Sequence, residues 1–246
     1  MRGTPGRRAG TEERGPYSVR MRRAVRILGT LMIVAGLVAL AWGVTIWRWQ
    51  DPLTALVNRY EQRKLADQYE QRVVQFTRRD QARRRHVPIR RPQRSRVQIA
   101  AAAREYRLQT HAGETLGRLM VPRLGLKVYV VEGTGSNALK KGPGHDPRTF
   151  LPGEGKLTFI AGHRTTYGAP FSKIDELKPG DAVTLELPYA TVRYRISGHR
   201  IVKADDLDAL RSRGREELAL QACWPRFFAS HRYIAYARPV SVKPHT

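Results

Sequence analysis

The chain has 246 residues, with 45 Lys+Arg against 21 Asp+Glu and a formal net charge of +24. Its 41% hydrophobic and 27% charged residues exclude a wholly disordered chain and a polytopic membrane protein. The single cysteine excludes an intramolecular disulfide framework and any metal site built on several thiolates, and no metal or cofactor is expected. The length accommodates one ordinary domain of roughly 100–150 residues and a long basic appendage.

The charge is uneven. Residues 1–112 hold 24 Lys+Arg and 8 acids, whereas residues 113–246 hold 21 and 13. Arginine dominates the excess, as in Arg83-Arg84-Arg85 and Arg90-Arg91. Such stretches bind any polyanion through counterion release, and a solvated, self-repelling linker accounts for them equally well. No zinc-finger spacing or RNA-binding aromatic signature accompanies them, so no specific nucleic-acid partner is expected.

Residues 1–26 read as a basic tail. From Ile27 to Trp47 there are 21 residues without a charge. At 1.5 Å per residue they reach about 30 Å, the thickness of a bilayer's hydrocarbon core. Arg20, Arg22, Arg23 and Arg26 precede the run, and Trp42, Trp47 and Trp49 cluster at its far end. This pattern predicts a single-pass anchor with the N-terminus in the cytoplasm and the bulk of the chain outside. A cleaved signal peptide is the competing reading, with Ala39-Leu40-Ala41 as a small-residue cleavage site, but the apolar run continues past that point.

Residues 48–98 read as a helical stalk and a basic linker. Asp51 can cap a helix and Pro52 is tolerated in its first turn. Leu53, Leu56, Val57 and Tyr60 follow at helical spacing, and Pro88 and Pro92 end the helix. The folded domain, residues 99–246, opens with a short helix over Ile99–Leu108. From Leu116 the period changes to that of strands, predicted at 117–122, 127–132, 157–161, 182–187, 192–201, 218–223 and 232–239. Pairs such as Pro152-Gly153 and Pro179-Gly180 punctuate the gaps. Only 171–177 and 207–213 read as helical turns. Many short strands at this spacing predict an all-β barrel or sandwich.

Few residues are candidates for chemistry. Cys223 is the only thiol and ends an apolar strand just before Trp224-Pro225. In an oxidising compartment a lone thiol is a liability unless it has a task, although a buried cysteine acting as a small hydrophobe is the alternative. Nucleophilic work requires a base and a cationic neighbourhood. His163 follows the apolar run Leu157–Ala161 and Gly162, where a strand end can present an imidazole at a rim. His145 reads as a loop residue with a structural hydrogen bond. Arg232 opens the last strand, nine residues beyond Cys223, and residues flanking such a loop can face each other across its mouth. Asp205-Asp206-Leu207-Asp208 is the one acidic group of note, without the spacing of a calcium loop.

The run Ile160-Ala161-Gly162-His163-Arg164-Thr165-Thr166-Tyr167-Gly168-Ala169-Pro170-Phe171 resembles the histidine segment of sortases, closest to class E. Leu220-Gln221-Ala222-Cys223 followed by Pro225 resembles the family's cysteine strand, and Arg232-Tyr233-Ile234 its arginine strand. Gly142-Pro143-Gly144-His145 and Pro152-Gly153 resemble the approach to the histidine strand, and the resemblance covers roughly 113–242. It departs at Ala219 and Ala222, where the family usually carries threonine.

The resemblance implies an all-β, closed sortase-type barrel of about eight strands with short helices, placed after the anchor and stalk. It implies a cysteine transpeptidase that cleaves a C-terminal sorting motif of a secreted protein between Thr and Gly and joins it to a cell-wall amine. Cys223 would be the nucleophile, His163 the general acid then base, and Arg232 the oxyanion and substrate cation. Tyr167, Ala222 and Trp224 would contact substrate, with the motif resembling Leu-Ala-x-Thr-Gly or Leu-Pro-x-Thr-Gly. A pilin-polymerising relative, with a lid in 99–116, and an inactive wall-binding barrel are the alternatives.

Overall fold

The computed structural model describes residues 17–48, 52–85 and 96–245. The tail 1–16, Trp49, Asp51 and the segment 86–95, with Arg90-Arg91, Pro88 and Pro92, lie outside the described residues. Helix α1 spans Tyr17–Arg48, and within it Arg20–Val44 is long and apolar enough to cross a membrane. Over Arg20–Val44 its apolar residues are exposed around the whole circumference, with Leu28, Leu31, Ile33 and Leu37 all open. A helix apolar on every side requires a non-aqueous neighbour, which fits a single-pass membrane anchor.

A second unit begins at Gln50. It contains α2 (Pro52–Arg85), α3 (Arg96–Gln109) and eight strands. The strands are β1 (Thr115–Val121), β2 (Leu126–Glu132), β3 (Gly144–His145), β4 (Leu157–Ala161), β5 (Ala182–Leu187), β6 (Ala190–Lys203), β7 (Glu217–Trp224) and β8 (His231–Pro244). They close in the order β1-β2-β3-β4-β7-β8-β6-β5. A one-turn helix, α4 (Ser136–Leu139), and three 3-10 turns at 122–124, 174–176 and 207–210 interrupt the loops. The predicted strands are all present, several of them longer than the apolar runs suggest. β3 was not predicted because two residues carry no periodicity to detect. α3 begins three residues before the predicted start, and the helical turns at 171–177 and 207–213 shrink to 3-10 turns.

Alternation of side chains builds the barrel. On β7, Leu218, Leu220 and Ala222 face the inner core, beside Ile160 of β4 and Tyr233, Ala235 and Ala237 of β8. The opposite face carries a second apolar cluster of Leu157, Phe159, Ala161, Val202, Ala219, Ile234 and Tyr236. β4 and β7 are thus covered on both faces, as expected of a parallel pair. α3 adds Ile99, Ala103 and Tyr106 to the core on one stripe, and the Tyr106 hydroxyl donates to the Leu116 carbonyl at 2.8 Å.

α2 packs along β1 and β2 through a stripe that mixes chemistries. Leu65 and Tyr69 are buried on it, and Gln62 donates to the carbonyls of Tyr129 (3.1 Å) and Lys141 (2.9 Å) and accepts from the Tyr129 N–H (2.7 Å). Arg72 pairs with Glu114, and Phe76 meets the rings of Tyr106 and Tyr189. The apolar residues that stand out in the sequence point the other way, with Leu56, Val57 and Tyr60 exposed by 67%, 52% and 59%.

Candidate active site

Three adjacent strands bring the three candidate residues to one end of the barrel. β4 and β7 run parallel with Ala161 opposite Gln221, and the Gly162 N–H extends the ladder by donating to the Gln221 carbonyl at 2.9 Å. Two residues further along each chain stand His163 and Cys223. β7 and β8 are antiparallel, and Cys223 is the direct register partner of Arg232. Directly paired residues project to the same face, with Cβ atoms roughly 4.5–5.5 Å apart. The sequence positions are distant; the register makes them neighbours.

His163, Cys223 and Arg232 line one cavity of about 290 Å³ on the outer face of the barrel. Phe159, Val202 and Ile234 give it an apolar wall, and Asp146 and Arg148 close another side. Cys223 is partly exposed, which suits a group that must meet a substrate. Burial pushes the His163 pKa below its ordinary value, so the ring holds its proton weakly. The Arg232 guanidinium donates through Nη1 to the carbonyls of Ala229 (2.7 Å) and His231 (3.0 Å). Both bonds use Nη1, one of the three guanidinium nitrogens, which together carry five N–H groups. Burial alone would raise the Asp146 pKa, but hydrogen bonds and charge from Arg148 hold it below the usual carboxylate range.

Gly162 sets the entry to the histidine loop. A Cβ at that position would lie 2.6 Å from the fully buried Phe171 ring, so the chain can pass only without a side chain. The loop folds back on itself, with the Phe171 N–H donating to the His163 carbonyl at 3.1 Å.

The residues expected to touch substrate lie outside the cavity lining. Ala222 faces the inner core and is completely buried. Trp224 packs against Tyr233 at 5.7 Å and under the Arg164 guanidinium. Tyr167 lies against the His163 ring, with centroids 5.2 Å apart. His145 forms half of β3 rather than a loop and is buried, its Nδ1 2.9 Å from Glu132. Asp206 accepts from the Asp208 N–H at 3.0 Å and caps a 3-10 turn.

Arg164 is a residue to which the sequence reading assigned no role. It is 5% exposed, pairs with Asp175 at 2.8 Å, lies 4.4 Å from the Trp224 ring and donates to the Cys223 carbonyl at 3.3 Å. Burial lowers its pKa, with the Asp175 charge only partly opposing. It therefore ties the residue after His163 to the backbone of Cys223. Its position directly behind the candidate histidine was the available signal, but one arginine among many gives no hint of burial.

Comparison with known proteins places this geometry. The family model described as the sortase domain matches residues 119–240. Sortase D of Bacillus subtilis is 34% identical over 133 residues, covering 52% of this chain and 66% of that protein. Among solved structures, the SrtA sortase of Actinomyces oris is 28% identical, with a TM-score of 0.51 over 55% of this chain and 85% of that one. Sortase E1 of Streptomyces coelicolor, solved with a tripeptide in its active site, is 25% identical, with a TM-score of 0.50 over 54% and 91%. A matching domain model and relatives that share the closed barrel make this chain a member of the sortase family.

Proposed function

We propose that this chain is a membrane-anchored cysteine transpeptidase that cleaves a C-terminal sorting motif, of Leu-Ala-x-Thr-Gly or Leu-Pro-x-Thr-Gly type, between Thr and Gly. The observation that carries the reading is the meeting of Cys223, His163 and Arg232 at one cavity on three adjacent strands. The tripeptide in the active site of the Streptomyces coelicolor relative is in keeping with a peptide substrate.

In this reading the Cys223 thiol gives its proton to His163 and the sulfur attacks the Thr carbonyl carbon. Arg232, a permanent cation, stabilises the oxyanion that forms. The C–N bond breaks as the imidazolium protonates the glycine nitrogen, leaving a thioester on Cys223. A cell-wall amine then attacks the thioester, His163 takes its proton, and the thiolate departs to be reprotonated. The weak proton affinity of the buried imidazole favours donation to the leaving amine. Water in place of the amine gives hydrolysis as a side reaction. The anchor would hold the barrel outside the membrane of a Gram-positive cell, N-terminus inside, where exported substrates and wall precursors meet it.

A lid over the cavity, as a pilin-polymerising enzyme would use, finds no support in residues 99–116. α3 is docked into the core by Ile99, Ala103 and Tyr106, and no residue of that segment lines the cavity. The test is to incubate the full chain in detergent with a labelled sorting peptide and an amine. Joined product should form, and should vanish in Cys223→Ala; no product from any motif offered would leave only a binding barrel.

A further inference from the structure

The loop that carries His163 is held in a conformation that its own sequence does not favour. Tyr167 (φ 51°), Gly168 (φ 73°) and Ala169 (φ 39°) are three consecutive residues in the left-handed region. Two of them carry a Cβ, and such residues persist there only when their surroundings over-determine them. One internal bond helps, from the Ala169 N–H to the Thr166 carbonyl at 2.9 Å. The Ser172 N–H bond to the Ala169 carbonyl (2.9 Å) and the Phe171 N–H bond to the His163 carbonyl add to it, and further restraints come from α2, more than a hundred residues earlier in the chain.

The Tyr167 N–H donates to the Thr54 hydroxyl at 2.9 Å. Gly168 is seated against Asn58, so closely that a Cβ there would stand 2.7 Å from the Asn58 Oδ1. Asn58 is itself anchored, its Nδ2 donating to the carbonyls of Lys141 (2.9 Å) and Lys140 (3.3 Å). Thr54, Asn58, Gln62 and Leu65 follow one another on one face of the helix at spacings of four, four and three, the repeat that keeps side chains on one stripe. The stripe continues through Tyr69 and Phe76 to the barrel, so the N-terminal turns that touch the loop are braced by the turns that follow. Tyr167 passes the restraint on, because its ring lies against His163.

We infer that α2 is a working part of the active site: Thr54 and Asn58 clamp Tyr167 and Gly168 and thereby hold His163 in place for proton transfer. Thr54, Asn58 and Tyr167 are positioning residues, acting on the imidazole from behind. The inference rests on the transpeptidase reading for what His163 does, but not for how it is held. It also gives the connection between anchor and barrel a second task, since the helix following the membrane segment reaches the catalytic loop.

The test uses the full chain in detergent and four forms: wild type, Thr54→Val, Thr54→Ser and Asn58→Ala. Hydrogen exchange over 165–169 reads the clamp, and kcat against KM for a sorting peptide reads its consequence. Losing the Tyr167 N–H bond to the Thr54 hydroxyl should speed exchange in Thr54→Val roughly threefold to tenfold and lower kcat by a similar factor with KM little changed. Thr54→Ser, which keeps the acceptor, should restore both. Asn58→Ala should behave like Thr54→Val, and it carries the test if the valine form does not fold. Exchange at the wild-type rate in the substituted chains overturns the inference, and so does faster exchange with kcat unchanged. A wild-type chain that turns over no sorting peptide removes the transpeptidase reading alone, because the exchange arm still decides whether α2 holds the loop.

Discussion

The two faces of β7 divide the labour of this protein. The inner face, Leu218, Leu220 and Ala222, is sealed in the barrel core. The outer face, one residue out of step, carries Gln221 and Cys223 to the cavity. A pleated strand has a period of two, so neighbouring residues serve separate environments and can be altered separately. β8 repeats the pattern, with Tyr233 and Ala235 inward and Arg232 and Ile234 toward the cavity. A change of one position along these strands therefore moves a substitution from the cavity to the core.

The sharpest way to break that division is on its outer face. Cys223→Ala should lower turnover by more than about a thousandfold, checked by product formation, while the urea unfolding midpoint stays near wild type. A large loss of stability would show that the sulfur is a core group after all. On the inner face, Leu220→Ala should cost about 2–5 kcal/mol in denaturant unfolding, because the fully buried side chain leaves a cavity. Folded protein that remains should still acylate.

The acid limb of the pH profile sharpens the account of the outer face. Burial disfavours the imidazolium, so His163 should titrate below its ordinary value of about 6.5. The acid limb of kcat/KM assigned to His163 should then fall below that pH, and a limb above it would contradict the burial argument. The stability linkage has the same sign. The contribution from the neutral buried ring is complete above the unfolded-state value and is lost as pH falls from there through the lower folded value. The smallest effect concerns Ala222→Thr. It would place a hydroxyl and a methyl in the packed core and should cost about 1–2 kcal/mol, read from the unfolding midpoint.

Much of the barrel was legible because alternation and punctuation are local signals. The Leu157–Ala161 and Leu218–Cys223 runs announce strands, and Gly162-His163 announces a strand end. The joint pattern of His163, Cys223 and Arg232 could be read through resemblance, but their common level comes from register, which no single segment encodes. The docking face of α2 was not legible. It is built from Thr54, Asn58, Gln62 and Arg72 as much as from Leu65 and Tyr69, so apolar periodicity pointed to the exposed Leu56, Val57 and Tyr60 instead. Arg164 escaped for the same reason: its importance lies in Asp175, Trp224 and the Cys223 carbonyl, all supplied by other parts of the chain. Ala222 shows the converse, since adjacency to Cys223 suggests substrate contact while the pleat turns its side chain into the core.

The most direct measurement is mass spectrometry of the full chain quenched during reaction with a sorting peptide and no added amine. The account predicts a thioester adduct on the Cys223-containing fragment with the mass of the peptide through its threonine less one water, with the glycine fragment released and the adduct discharged when amine is added. Cleaved peptide with Cys223 unmodified at every quench time, and the same product from Cys223→Ala, would contradict it.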